Sequence, residues 1–371
     1  MTVIIGIILL GFLIFIHEAG HFLASKISGV KVEAFSVGMG PVLFHKRIRG
    51  TDWRLSLLPF GGYCAMKGEK DFENSFESGV TLEKDSFYGA KAVYRALIAS
   101  AGPLFNLLFA IIAFFVIALT GYTYYSAGNV IRLVTDEYPE LHSAAGEAGI
   151  LSGDRIVGIN SKEISDFSSL YEEVATRPDE DVLIIVERNG ERLSFTVRTD
   201  MSMDTGEGKI GVMSDISSVE AREAPRYSFF PAVGQGFYQT FRLIRLYLKG
   251  ISVLFKGVKV SENMAGPARI TSMMGAAAKS GFSAGFRNGI VSVLQFMALI
   301  SVSLFIMNLL PIPILDGFLV LTSLIEAVFG IRVSPKARNI VQYIGIVLIA
   351  SLFALAIGGD FRYFSELLHE K

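Results

Sequence analysis

Four apolar runs constrain this chain more than any other feature: Val3 to Ala24, Ala96 to Leu119, Ile290 to Leu310 and Ile340 to Ile357. A helix crossing the hydrocarbon core of a bilayer needs about 20 such residues. The fourth run is short, and tilt or flanking residues can extend it. The first run is not read as a signal peptide. No Lys or Arg precedes it, and it leads into His-Glu-Ala-Gly-His instead of a small-residue cleavage site. The chain is 51% hydrophobic yet 19% charged over 371 residues, so membrane helices must carry a water-soluble part. A net charge of -1 gives no pointer to nucleic acid. Cys64, the single cysteine, excludes an internal disulfide framework and a cysteine zinc knuckle, which leaves His, Asp or Glu for any metal.

Loop charge sets an expected orientation. The segment between the first two runs carries eleven Lys and Arg residues from Lys26 to Arg95, and Arg332, Lys336 and Arg338 lie between the last two. The positive-inside rule makes both segments cytoplasmic and puts both termini and the long middle segment outside. Arg242, Arg245, Lys249, Lys256 and Lys259 run against this, but long translocated segments obey the rule poorly.

The soluble segments have their own patterns. Within residues 28–70, Val30-Lys31-Val32 and Trp53 to Leu57 alternate apolar with polar, and Gly38, Gly40, Pro41, Gly61 and Gly62 punctuate them. A small sheet on the cytoplasmic face is expected. Residues 127–201 read as one α+β domain, with strands at Val182 to Val186 and Ser194 to Val197 around Asn189-Gly190. Ala148 to Asn160 resembles a signature of PDZ domains, and Ser168 to Thr176 suits the following helix. PDZ domains add extended peptides to a sheet edge. Further on, Phe237, Phe241, Ile244, Leu248, Ile251 and Phe255 recur at helical spacing, with Arg242, Arg245 and Lys249 off that stripe. The pattern fits an amphipathic helix on the membrane or on the spans, and equally a plain core helix.

The chemistry is in the first run. His17-Glu18-Ala19-Gly20-His21 is an HExxH pattern. Residues four apart share a helix face, so both imidazoles can bind one Zn²⁺, with Glu18 beside them to take a proton from water. Ionisable groups at that depth cost about 2.5–3.5 kcal/mol each on insertion scales. Polar residues satisfied by water at a helix end would explain any one of the three, but not their spacing. A third ligand is needed. His45 and His369 are available, but Asp316 is better placed, at the end of Asn308-Leu-Leu-Pro-Ile-Pro-Ile-Leu-Asp316-Gly317. Pro311 and Pro313 forbid a continuous helix there, and broken backbone at membrane depth lines protein or a wet cavity. A loop with a helix-capping Asp is the alternative reading.

These residues resemble the site-2 protease family of intramembrane zinc metalloproteases, regulator of sigma-E protease type. The likeness runs from His17–His21 through Phe35 to Pro41, Pro59 to Tyr63, Ala101 to Asn106 and Gly266-Pro267 to Asn308–Gly317. It implies His17, His21 and Asp316 as zinc ligands and Glu18 as the base for attack of zinc-bound water. It implies Asn308 as a substrate contact, a substrate-presenting strand at Gly61 and Gly62, and helix packing by Gly102, Pro103 and Asn106. Phe318 stands where many relatives have a second Gly, and there is one PDZ-like segment where several have two.

The expected fold is a membrane α-helical bundle of about four transmembrane helices, with a small membrane-associated β-sheet and one inserted α+β PDZ-like domain. The expected spans are 1–24, 96–122, 289–329 (holding the Leu-Asp-Gly) and 337–358. A cytoplasmic-side strand and loop region fills 25–95, the PDZ-like domain 127–201, and an amphipathic helix with connections 225–288. The expected partners are single-span membrane proteins or signal peptides, anti-sigma factors or remnant signal peptides by analogy, and a peptide ligand of the PDZ-like domain. The expected setting is a bacterial inner membrane, with the PDZ-like domain periplasmic and the active site towards the cytoplasm. A non-catalytic scaffold with a vestigial HExxH is the rival reading. A zinc transporter would want acidic and His residues along the other spans, and Ala96 to Leu119 supplies none.

Overall fold

The computed structural model describes residues 2–69, 82–203, 205–254, 266–331 and 333–369. The chain divides into two compact units. One comprises Met1–Thr120, Tyr227–Ile244 and Met264–Lys371; the other comprises Gly121–Arg226 and Arg245–Asn263.

The first unit opens with helix α1 (Thr2–Ile27), strands β1 (Val32–Ile48) and β2 (Thr51–Met66), and helix α2 (Ala92–Thr120). The two long strands pair and fold back, so that Phe35 lies in register with both Cys64 and Trp53. The near half is fixed by aromatic packing. Phe35 meets Phe15 and Phe22 of α1 edge-on at ring distances of 5.8 and 5.7 Å, and Trp53 tilts against Phe35 at 4.8 Å. The far half leaves Val42, Leu43, Phe44, Leu55 and Leu57 exposed, a surface that suits contact with lipid better than water.

The second unit is built mainly of short strands. Its elements in chain order are β3 (Thr123–Ser126), β4 (Ile131–Leu133), α3 (Ala144–Glu147), β5 (Arg155–Ile159), β6 (Lys162–Glu163), α4 (Phe167–Ala175), β7 (Asp181–Arg188), β8 (Glu191–Arg198), β9 (Asp200–Met201), β10 (Gly208–Lys209), β11 (Val212–Ser214) and β12 (Glu220–Glu223). The main sheet has the order β6-β5-β7-β8. Alternation buries Val182, Ile184 and Val186 on one face of β7, where they join Ile156, Ile159, Leu170 and Val174 in one core. Asp166 caps α4, its carboxylate accepting from the Ser169 N–H at 2.7 Å. The unit runs past the expected limit at residue 201. β11 pairs with β4 and β12 with β3, and both pairings join strands far apart in sequence. Such short, distant partners leave no local signature.

Next comes α5 (Phe229–Leu254), of which the part up to Ile244 belongs to the first unit, and then, in the first unit, α6 (Pro267–Ser283), α7 (Phe286–Leu309), α8 (Asp316–Phe329) and α9 (Pro335–His369). Among the described residues, four helices are long and apolar enough to cross a membrane: α1, α2, α7 and, within α9, Ile340–Arg362. The expected third span at 289–329 is two helices, because Pro311 and Pro313 break it. The region expected at 225–288 holds two helices as well, α5 and α6. In α5 the buried face is the small-residue one, Ala232 and Thr240, with Gly236 against the Ile111 carbonyl and Phe115. Phe237, Phe241 and Leu248 of the expected stripe stay about half exposed, so the core-helix reading is overturned; Phe255 lies outside the described residues. Arg95, read above as a loop charge, is buried in α2 and pairs with Glu326 of α8 at 2.6 Å. That bond ties the helix beginning at Asp316 to α2.

Candidate metal centre

His17, Glu18 and His21 lie near the C-terminal end of α1, in its buried and half-buried part. One helical turn separates the two imidazoles, and their Nε2 atoms stand 3.2 Å apart. Asp316 opens α8 after the proline-broken loop and closes the group. Its Oδ2 is 3.1 Å from His17 Nε2 and its Oδ1 3.5 Å from His21 Nε2. The start of a helix is a favourable place for a carboxylate. Just before it, Ile314 holds φ at 86°, a left-handed setting that a β-branched side chain adopts only under strain.

The donor set fits a tetrahedral zinc ion. With Zn–N bonds of about 2.0–2.1 Å, neighbouring donors lie about 3.3 Å apart, close to the 3.2 Å between the two Nε2 atoms, and one carboxylate oxygen of Asp316 faces each of them. Among the described residues this is the one group of three such side chains able to hold a metal. The outer face of His21 is settled too: its Nδ1–H donates to the Ile98 carbonyl at 2.8 Å, which leaves Nε2 for the ion. Space is reserved as well. A Cβ on Gly102 would fall 2.3 Å from His21 Nε2, and one on Gly20 would fall 2.3 Å from the Ala101 carbonyl oxygen. Glycine at both positions lets α2 approach α1 closely enough to receive the imidazole. The roles of Gly20 and Ile98 leave no mark in the sequence, since only the helix crossing creates them.

Glu18 is half-buried, and among the described residues no hydrogen bond or salt bridge holds its carboxylate. Gly62 of β2 lies beside it: a Cβ there would sit 3.2 Å from Glu18 Cγ and 3.0 Å from Ile14. Gly61, with φ at 97°, turns the strand next to it. Asn308 lies half-buried in the last turn of α7, and no hydrogen bond joins it to the His and Asp group. His45 is excluded as a ligand: it is exposed and bonds Asp52 at 3.0 Å. The side chain of His369 lies outside those described.

The second unit has a groove of about 520 Å³ between α4 and the segment from β10 to β11. Phe167, Leu170, Val174, Ile210 and Val212 line it, with His142, Asp200 and Lys209 at the rim. Within the described residues, the N–H groups of Ile210 and Gly211 make no hydrogen bond, although both carbonyls are engaged.

A HExxH helix, a later carboxylate and four membrane-length helices define a membrane-embedded metallopeptidase. The chain belongs to peptidase family M50, the site-2 protease family, whose sequence profile matches residues 5–352. Relatives agree over nearly full length. A candidate zinc metalloprotease of Treponema pallidum is 31% identical, covering 98% of this chain and 99% of its own. One from Rhizobium meliloti is 34% identical over 96% and 95%, and one from Campylobacter jejuni 32% over 95% and 91%. The protein is a multi-pass membrane zinc metallopeptidase, and zinc is its cofactor.

Proposed function

We propose that this metallopeptidase is an intramembrane endopeptidase that cuts single-span membrane proteins, of the anti-sigma-factor or remnant-signal-peptide class. The observation that carries the reading is the closure of His17, His21 and Asp316 within 3.1–3.5 Å, with both histidines on α1 and hydrogen-bonded to α2, two helices of membrane length and composition. A site built into such helices is reached by substrates that share the membrane.

His17, His21 and Asp316 would hold the zinc. When bound, zinc polarises a peptide carbonyl and makes water easier to deprotonate. Glu18, adjacent in sequence and, among the described residues, held by no hydrogen bond or salt bridge, would take the proton from the attacking water and return it to the leaving amine. Asn308 would contact the substrate near the scissile bond. A substrate helix hides its carbonyls in internal hydrogen bonds, which must open before attack. The β2 strand at Gly61 and Gly62, beside Glu18, offers main-chain groups to hold the opened segment.

The second unit we read as the PDZ-like gate. Its groove pairs an apolar helix face with a strand and two free N–H groups, a setting suited to an extended peptide or its carboxylate end. In this reading the unit is periplasmic, the zinc is nearer the cytoplasm, and the membrane is the bacterial inner membrane.

The test uses purified protein in liposomes with a single-span reporter substrate. Wild type should release two fragments, and Glu18→Gln should retain zinc and release none. Cleavage only of soluble peptides, with the membrane reporter intact, would overturn the intramembrane reading.

A further inference from the structure

The outer face of His17 is where the structure says more than the motif does. His17 Nε2 points to Asp316 and to His21 Nε2, so that nitrogen faces the ion, and the imidazole must then carry its proton on Nδ1. A buried Nδ1–H needs an acceptor. For His21 the acceptor is the Ile98 carbonyl. For His17 the neighbour is the side-chain amide of Asn106, whose Nδ2 stands 3.1 Å from Nδ1. Asn106 is fully buried, and its Oδ1 is a buried oxygen with no hydrogen-bond partner.

Resting on the zinc assignment above, we infer that Asn106 is a positioning residue for the metal centre, holding the His17 imidazole by a bond that follows its tautomer. Without the ion, the two 3.1 Å separations suit one tautomer: Nε2–H donates to Asp316 Oδ2 and Nδ1 accepts from the amide N–H. With the ion on Nε2 the proton moves to Nδ1. A half-turn of the amide then brings Oδ1 to the place of Nδ2 and gives the orphaned oxygen its N–H. An amide serves both states with one polar atom left over in each. The backbone is held fixed for this: Ser301 of α7, itself fully buried, donates to the Asn106 carbonyl at 2.8 Å. This differs from helix packing, the role the sequence resemblance suggests for Asn106.

The two roles diverge under substitution. Asn106→Leu keeps the volume and removes the acceptor. Asn106→Asp keeps an acceptor for Nδ1–H, as in the carboxylate–histidine–zinc arrangement. Zinc affinity of the full chain in detergent, measured by chelator competition, should fall about 10–100-fold in Asn106→Leu and stay within about threefold of wild type in Asn106→Asp. A packing role gives the reverse order, because the carboxylate would be buried without need. The inference is overturned if Asn106→Leu binds as wild type does, or if Asn106→Asp loses tenfold or more. Should the Leu variant fail to fold, the Asp variant alone decides by the same limits. His21→Ala supplies the control: wild type binding no more zinc than that variant would sink the zinc assignment, and this inference with it.

Discussion

Asp154 in the second unit and Asp316 in the first both stand next to a glycine, Asp154 at the end of a turn and Asp316 at the start of a helix, and both are at least partly withdrawn from water. Asp154 is 2% exposed and fully engaged: its carboxylate accepts from the Leu151 N–H at 2.9 Å and from Arg188 Nε and Nη2, each at 2.7 Å. Asp316 faces two imidazoles, and among the described residues no Lys or Arg pairs with it. A buried carboxylate closed by a guanidinium is a structural device, because both its oxygens already accept from the protein and its charge is paired. One aimed at two histidine nitrogens is a site in waiting. The difference separates the part of the molecule that holds shape from the part that does chemistry.

The largest effects should come from the chemical side. Glu18→Gln is expected to lower cleavage about 10²–10⁴-fold or beyond detection while leaving zinc and the fold in place, since in the proposed mechanism it removes the proton acceptor and no ligand. Zinc analysis alongside a fragment assay checks this, and lost zinc in that variant would move Glu18 into the ligand set. Asp316→Asn should instead lose both zinc and activity. Asp154→Asn should lose neither, and that contrast is the sharpest form of the comparison.

The next effect is steric. Gly102→Ala puts a methyl where His21 Nε2 stands, 2.3 Å away, and overpacking of this kind costs about 1–3 kcal/mol. Zinc affinity should drop, and an unchanged affinity would mean that α2 does not approach α1 as closely as described.

Breaking the structural pair should cost stability alone. Asp154→Asn takes from Arg188 its carboxylate partner, leaving the Gly149 carbonyl, and should destabilise the second unit by about 1–3 kcal/mol. The pH dependence has a definite sign. Burial pushes the Asp154 carboxyl up, but the Arg188 bonds and the Leu151 N–H outweigh it and hold it below the usual carboxylate range. Its folded value is therefore below its unfolded one, so the stabilisation is present above about pH 4 and is lost as pH falls further. Acid unfolding followed in the Asp154→Asn variant should have lost this part of its pH dependence.

The larger segment of the second unit, Gly121–Arg226, can also be removed. Its ends meet: the Tyr227 N–H bonds the Ala118 carbonyl at 2.9 Å, within the first unit. Replacing residues 121–226 by a short flexible linker should leave zinc content unchanged. The enzyme should still cut a short single-span substrate and should discriminate less against bulky ones. A zinc-loaded but inactive deletion would make the second unit part of the catalytic machinery.

The chain shows its chemistry more openly than its shape. His17, His21 and Asp316 were legible because polar residues inside apolar runs have few explanations, and because helical spacing and a double proline say where each must lie. The four membrane-length helices were legible for the same reason. What escaped depends on distant pieces meeting. Strands β11 and β12 are three and four residues long and pair across some 80 to 100 residues of sequence. Arg95 looked like a loop charge until Glu326 arrived beside it. The buried face of α5 is made by small residues, which a search for apolar stripes passes over. Asn106 is ordinary in sequence and becomes chemical only at 3.1 Å from His17.

The central claim is one zinc ion held by His17, His21 and Asp316 and used for peptide cleavage with Glu18. The most direct measurement is zinc stoichiometry on purified full-length wild type, Glu18→Gln and Asp316→Asn, paired with cleavage of a single-span reporter in liposomes. The expected result is about one zinc in the first two, near none in the third, and fragments from wild type alone. Near-stoichiometric zinc in Asp316→Asn, or fragments from Glu18→Gln, would contradict it.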